Sequence, residues 1–263
     1  MSFKNIEYSV DSGVAVLKLN RPDALNSFTA EMHGEVSAVL GDAAEDKAVR
    51  AVLITGNGRG FCAGQDLNDR AVSPGESMPD LGDSVENYYN PLIRRITTME
   101  KPVICAVNGV AAGAGANIAL ACDIVIAARS ANFIESFAKL GLIPDSGGTW
   151  HLPRLVGMAR AKGLAMLGPK VSAEQALAWG MIWQVVDDDA LMDTALGLAQ
   201  QMATQPTRGF AYTKQAFAAS AANSLDQQLD LERDLMRAAG QTHDYQEGVK
   251  AFLEKRQPEY KGE

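Results

Sequence analysis

Two stretches of this sequence carry the residue types from which an anion-binding site is built. From Ile104 to Asp123 the chain reads ICAVNGVAAGAGANIALACD, an apolar strand, a turn of small residues and an apolar helix. At Gly113, Ala114 and Gly115 almost no side chain stands between a ligand and the main chain. The first turn of a helix there presents unpaired N–H groups and the positive end of the helix dipole. A substrate oxygen that gains negative charge is stabilised at such a place, which is the chemistry of an oxyanion hole. Close packing of a helix on a sheet calls for the same small residues, and this segment alone does not separate the two readings. A second segment, AVLITGNGRGFCAGQDL from Ala51 to Leu67, repeats the order of apolar strand and glycine-punctuated loop. Two such units could each supply one N–H to the same oxygen.

The remaining polar residues mostly have structural readings. Asp66 is suited to bracing the loop after CAG, and Asp123 to a turn between helix and strand. His33, His151 and His243 are scattered, without the partners of a triad or metal site. Cys62, Cys105 and Cys122 are odd in number and lie in apolar or glycine-rich segments, so they are expected to be buried thiols, not a disulfide framework or a zinc site.

Elements able to position these residues follow from pattern. Alternation predicts strands over 6–10 and 14–19, joined by hairpin chemistry at Asp11-Ser12-Gly13. Thr29 is a candidate cap for a helix carrying Met32, Val36, Val39 and Leu40 at helical spacing. Strands are expected over 49–55, 103–107 and 124–127, with helices over 84–98 and 116–121 between them. Residues 68–83 are polar and rich in Pro, Gly, Ser and Asp, a loop or broken helix beside the site. A helical run is expected over 157–167, SAEQALAWG has the cap and terminal glycine of one helix, and Pro206 starts another. Residues 226–255 form a long charged amphipathic stretch with Leu229, Met236 and Phe252 as contact residues, facing either a partner subunit or the same core.

Composition bounds the function. The chain has 263 residues of which 47% are hydrophobic, enough for a sizeable core in one large or one-and-a-half domains. A formal charge of −8 and a pI near 5.0 argue against non-specific binding to nucleic acid or anionic membranes, which need clustered Lys and Arg. The opening MSFKNIEYSV has no charged region followed by an apolar one, and no run reaches the length of a membrane span, so a cytoplasmic location is expected.

Taken in order, LNRPDALNSF, GRGFCAGQDL, KPVICAVNGVAAGAGANIALACDI, KLGLIPDSGGTWHLPRLVG, SAEQALAWGMIWQVV and EGVKAFLEKRQPEYKG make the whole chain resemble the crotonase (enoyl-CoA hydratase/isomerase) superfamily. The resemblance implies an α/β fold, a spiral of ββα units with two roughly perpendicular sheets over residues 1–204. It also implies a C-terminal helical region over 205–263 that forms trimers, often paired into hexamers. It places the two oxyanion amides at Gln65 and Ala114. Along the CoA moiety it places Arg21, Ala24, Leu25, Ala63, Gly64, Asp66 and Leu67, with Phe252 and Lys255 reaching a neighbour's nucleotide pocket. Gly113, Asn117 and Phe137 border the acyl group, together with the aromatic candidates Tyr88, Tyr89 and Trp150. No cofactor is implied, since coenzyme A is part of the substrate, and no metal.

Hydratases of the superfamily carry two glutamates, at positions that here hold Asn117 and Phe137. Neither can transfer a proton in the required way, which argues against hydration. Asp145, in GLIPDSGGT, matches the place where double-bond isomerases hold their base. Its residue type also suits capping a helix that begins near Ser146. Leu140, Leu142, Ile143 and Phe137 are expected to surround it and disfavour its charged form. Glu135 is a secondary acid, two residues before the family's glutamate position. GRGFCAGQDLNDR, NPLIRR, DIVIAARSANF and WGMIWQVVDD are similar to a branch of the superfamily acting in phenylacetate breakdown. That branch opens an aryl-epoxide thioester to an oxepin and shifts a dehydroadipyl alkene into conjugation. A general 3-enoyl-CoA isomerase, a hydratase, and a silent acyl-CoA- or RNA-binding scaffold remain the alternatives.

Overall fold

Ser12 and Gly13, both at positive φ, make the tight turn between β1 (Ile6–Asp11) and β2 (Val14–Leu19). The computed structural model describes residues 3–70 and 80–263, so residues 71–79 of the loop expected over 68–83 lie outside the described residues. The further strands are β3 (Ala51–Gly56), β4 (Gly60–Cys62), β5 (Val103–Val107), β6 (Val110–Ala112), β7 (Ile124–Ala128), β8 (Asn132–Ile134), β9 (Lys170–Ser172) and β10 (Gln184–Val186). The helices are α1 (Ala30–Glu45), α2 (Leu81–Ser84), α3 (Asn90–Thr98), α4 (Ala114–Leu120), α5 (Gly148–Val156), α6 (Met158–Leu167), α7 (Ala173–Ala178), α8 (Leu191–Ala203), α9 (Thr207–Ser220), α10 (Leu225–Ala239) and α11 (His243–Glu254).

Two sheets organise the described residues. The larger has the order β1-β2-β3-β5-β7-β10, and the smaller β4-β6-β8-β9. The chain climbs through both at once: β3, β5 and β7 each enter the large sheet and are followed a few residues later by β4, β6 and β8 in the small one. Each step then returns through helix, so equivalent strands of successive units pair in parallel. Every residue of β3 and β5 is buried, as expected of parallel strands covered on both faces. Helix α8 lies across β2, β3, β5 and β7. It faces the core with Leu191, Ala195, Ala199 and Ala203, four apart, and the three alanines let its backbone come close to the sheet.

Several boundaries differ from the sequence reading for physical reasons. The three-residue strands β4, β6, β8, β9 and β10 are too short to show a period. The helix expected over 84–98 starts earlier, at α2, and reaches α3 through a π turn at Val85–Tyr89 that buries Tyr89 completely while leaving Tyr88 exposed. The stretch 226–255 is two helices. Thr242 caps α11 by accepting from the Tyr245 N–H at 3.1 Å, and a capping box of Ser224 and Gln227 starts α10. No residue of α10 is buried, and Leu225, Leu229 and Met236 stand exposed on it.

Two lysines tie the helices down. Lys101 Nζ donates to the carbonyls of Ala43 and Asp46, both at 2.6 Å, closing the C-terminal end of α1. Lys214 on α9 donates to the Ile96 and Lys101 carbonyls and pairs with Asp123 at 2.7 Å. Asp123 in turn accepts from the Val103 N–H at 2.8 Å. Burial pushes the Asp123 carboxyl up from its ordinary value, and Lys214 opposes that shift. Lys214→Met removes the opposing charge, leaves the partly exposed Asp123 carboxylate with the Val103 N–H alone, and strips two carbonyls of their donor. It should cost about 1–2 kcal/mol in urea unfolding, and less at low pH where Asp123 is neutral.

Candidate active site

Because β4, β6 and β8 run parallel, their carboxyl ends reach the same edge of the small sheet, a position where α/β folds commonly place ligands. The chain leaves β4 into Ala63-Gly64-Gln65, β6 into Gly113-Ala114, and β8 into Glu135-Ser136-Phe137. The first two turns almost touch. A Cβ on Gly64, whose φ is +90°, would lie 2.9 Å from the Ala112 carbonyl oxygen and 3.3 Å from the Ala114 nitrogen. A Cβ on Gly115 would sit 2.3 Å from the Cys62 carbonyl oxygen. The small residues therefore do both things left open by the sequence: they let α4 pack against β4, and they bring the backbones of residues 64–65 and 114 together.

Two anchors set the Gln65 amide. The Phe28 N–H donates to the Gly64 carbonyl at 2.7 Å and the Phe28 carbonyl accepts from the Asp66 N–H at 2.9 Å, a parallel bridge that turns the Gln65 amide away from Phe28. The Gln65 side chain is pinned through Nε2 to the Phe28 carbonyl and through Oε1 to the Tyr89 hydroxyl, which donates at 2.9 Å. Ala114 is the first residue of α4, so its N–H has no acceptor within the helix. Gly113 enters the helix at φ 54° and ψ −128°, open in practice only to glycine, with the Phe137 ring 3.8 Å from where its Cβ would be. Two main-chain donors side by side at a helix start can hold a carbonyl oxygen as it becomes negative.

Asp145 lies in the turn before α5. Ser146 and Gly147 follow it with left-handed φ of 51° and 77°, and the Ser146 hydroxyl donates to Asp145 Oδ1 at 2.9 Å. The residue at the cap position of α5 is Gly147. The Asp145 carbonyl accepts from the Gly148 N–H and from Asn117 Nδ2, both at 2.9 Å. Asn117 Nδ2 also reaches Glu135 Oε2 at 3.4 Å, so Asn117, Glu135 and Asp145 form one cluster behind the Ala114 turn. Burial raises the Glu135 carboxyl to about 7. The Asp145 charge adds to that shift and the Asn117 hydrogen bond opposes it. The apolar enclosure expected around Asp145 is incomplete: Phe137 is buried, but Leu142 is exposed and Leu140 and Ile143 are 56% and 78% exposed. These side chains sit on a turn that this chain does not cover.

One hollow adjoins the Asp145 turn and another the Gln65 turn. The first, about 360 Å³, is apolar and includes Ala138, Leu142, Pro144, Gly148 and Met166. The other, about 210 Å³, is lined by His33, Gln65, Asp69, Asp80, Ser84 and Tyr88 among others. Tyr89 is core, and Trp150 is half exposed under the Arg154 guanidinium. The segments singled out for a nucleotide are adjacent: the Leu25 carbonyl accepts from the Ala63 N–H at 2.9 Å, and Arg21 pairs with Asp66 at 2.9 Å, which holds the Asp66 carboxyl below its ordinary value. Ala24 is in the short turn between them, and Leu67 is exposed at its rim. Phe252 and Lys255 are not part of this convergence. Phe252 is 83% exposed beside a separate hollow with Pro206 and Tyr260, and Lys255 ends α11 in a left-handed conformation. The three cysteines are buried and unpaired, and burial lifts the Cys62 thiol to about 12, which leaves it no nucleophilic role. Among the described residues no three His, Cys, Asp or Glu side chains gather as metal ligands, and no helix is long and apolar enough to cross a membrane.

Residues 9–263 match the family model described as enoyl-CoA hydratase/isomerase. The chain is 62% identical over 253 residues, 96% of its length and 97% of the relative's, to 1,2-epoxyphenylacetyl-CoA isomerase of Escherichia coli K12. It is 46% identical, over the full length of both, to a protein of Rhodobacter capsulatus named as a probable enoyl-CoA hydratase. The crystal structure of enoyl-CoA hydratase from Bacillus anthracis superposes with a TM-score of 0.90 at 34% identity, covering 99% of this chain and 100% of that one.

The close approach of the two turns makes a sharp test. Gly115→Ala should destabilise the protein by about 1–3 kcal/mol in chemical denaturation, because its methyl meets a backbone carbonyl. Gly163→Ala, in α6 with nothing within 4 Å of the added carbon, should stabilise by about 0.5–1 kcal/mol. Equal effects at the two sites would mean that the turns are not in contact.

Proposed function

Because the chain belongs to the enoyl-CoA hydratase/isomerase family, we propose that it is an acyl-CoA isomerase working through a thioester enolate, with Asp145 as base and the Gln65 and Ala114 N–H groups as oxyanion hole. Its substrates are 1,2-epoxyphenylacetyl-CoA, converted to the oxepin isomer, and 3,4-dehydroadipyl-CoA, whose double bond moves to the 2,3 position. The observation that carries the reading is that two nearly touching main-chain turns lie beside the Asn117-held turn of Asp145; the family resemblance, which puts Asn117 and Phe137 at the hydratase glutamate positions, supports it.

The chemistry balances with one carboxylate. Asp145 removes a proton from the carbon next to the thioester carbonyl, and the electron pair moves onto the carbonyl oxygen, where the two N–H groups stabilise it. In the alkene case the pair returns through the conjugated system and Asp145, after exchange with solvent, delivers a proton to the γ carbon. In the epoxide case the carbon–carbon bond shared by the two rings breaks, and the proton returns to a ring carbon. No atom is gained or lost and no electrons leave, so neither water nor a redox partner enters the equation. The adjacency of residues 21–25 and 63–67 supports a path for the CoA chain along Arg21, Ala24, Leu25, Ala63, Gly64, Asp66 and Leu67. The exposed Leu229 and Met236 on α10, with Tyr245 and Phe252 on α11, support self-assembly as a trimer or dimer of trimers, in which Phe252 and Lys255 reach a neighbour's nucleotide. Light scattering should return three or six chain masses; a monomer would remove this part of the reading.

The activity test is incubation with a 3-enoyl-CoA and its 2-enoyl isomer in D₂O, with mass and NMR readout, beside Asp145→Asn. Interconversion with deuterium at the α or γ carbon, reduced about 10²–10⁴-fold in the variant, is the expected result. Net addition of D₂O, or a variant as active as the parent, would overturn it. The epoxide thioester then ranks the substrates.

A further inference from the structure

Behind Asp145 the structure buries a second carboxyl that the reaction above does not use. Glu135, just past the end of β8, is 3% exposed. Its Oε2 meets Asn117 Nδ2 at 3.4 Å, while its Oε1 and the Asn117 Oδ1 are both buried without a hydrogen-bond partner. The same Nδ2 donates to the Asp145 carbonyl at 2.9 Å. One amide thus joins α4, the end of β8 and the Asp145 turn, and it has no room to leave, since a Cβ on Gly148 would lie 2.3 Å from Nδ2. An ionised Glu135 would be a buried charge with a single long hydrogen bond, next to an amide oxygen that also lacks a donor. A proton on Glu135 removes the charge and supplies a donor where acceptors are in excess.

We infer that Glu135 is a positioning residue for Asp145: a buried, protonated carboxylic acid that through Asn117 fixes the Asp145 turn and places no second negative charge beside the base. This rests on the reading of Asp145 as base. The charged groups around Glu135 allow it. Asp145 faces it from the turn before α5, and α4 carries no charge. The Lys139 stem reaches Gly168 beside the Glu135 main-chain carbonyl. Lys170 lies exposed on β9, opposite Ile134, and His151 packs beyond Gly147. The Glu135 value of about 7 sets the window in which the proton is lost. As pH rises through it, a second negative charge appears beside the base.

The test compares Glu135→Gln, Glu135→Leu and Asp145→Asn in the alkene isomerisation from pH 5 to 9, with thermal unfolding across the same range. Gln imitates the neutral acid, so E135Q should keep kcat within about threefold of the parent at pH 6, with KM unchanged, and lose the parent's inflection near pH 7. E135L cannot hold Asn117 and should lose at least about tenfold in kcat with KM unchanged. The sign of the stability effect is also fixed. Glu135 is raised in the folded state, so its contribution is complete below the ordinary value of 4.5 and lost as pH climbs to about 7. The Tm of E135Q relative to the parent should therefore rise between pH 5 and pH 8. Identical pH profiles of kcat and Tm in E135Q and parent, with D145N inactive, would overturn the inference while leaving the base intact. An active D145N would instead remove the base reading on which it rests.

Discussion

The absence of a side chain at Gly115 holds this molecule's site together. With the Cys62 carbonyl where a Cβ would have to be, α4 seats its first turn directly on the end of β4, and the Ala114 nitrogen comes up against Gly64. That contact is possible only because β4 and β6 are parallel neighbours, and they are neighbours because β3 and β5 are paired in the large sheet one step earlier in each unit. The large sheet is the spacer. Its fully buried strands fix the rise between successive units, and the small sheet carries that rise to the edge where the turns meet. Phe28 and Tyr89 then stiffen the Gln65 side of the junction, so that two donors from segments almost fifty residues apart are preorganised before any ligand arrives.

Acidic residues divide cleanly by how their charge is met. Asp66 has Arg21 and the Asn68 N–H, and Asp123 has Lys214 and the Val103 N–H. Asp244, fully buried on α11, accepts from the Lys261 and Gly262 N–H groups, both at 2.7 Å, and so holds residues 261–262 against α11. Each of these is a carboxylate whose neighbours are donors, which is what a structural acid requires. Glu135 has the opposite surroundings, a long bond to one amide and a second acid close by. Such an arrangement lowers stability at neutral pH in proportion to the displacement of its titration, and it persists beside the turn that carries Asp145, where Ser146 also holds a left-handed φ.

The two glycine turns were legible in the sequence because small residues between an apolar strand and an apolar helix are a local pattern. So were α1 with its Thr29 cap, the first hairpin and the α7 cap. What was not legible depends on distance or on brevity. A three-residue strand such as β8 has no period to detect, yet it carries Glu135 to the site. The Glu135–Asp145 approach is made by a chain that turns through residues 137–144 and comes back, and Asn117, which bridges the two, lies 18 residues before one and 28 before the other. The run over 226–255 read as continuous because charged and apolar residues alternate at helical spacing on both sides of Gly240–Thr242; Gly240 ends α10 and the side-chain cap at Thr242 starts α11. Leu140 and Ile143 misled for a related reason: apolar residue type forecasts burial, but it does not say by what.

An enolate is stabilised by two N–H groups far more strongly when water is excluded, because the same dipoles act through a lower dielectric. In the single chain the wall beside Asp145 is open at Leu140, Ile143 and Met166, and apolar side chains stand exposed along α10 and α11. The first set lacks a cover and the second lacks a core, and the proposed assembly answers both if a neighbour's helices close over the turn. The proposed oxyanion donors and the Asn117 cluster are built within one chain, from backbone contacts too tight to depend on a partner. The dryness that gives those donors their strength is then the part left to assembly, so geometry and dielectric at this site have separate origins.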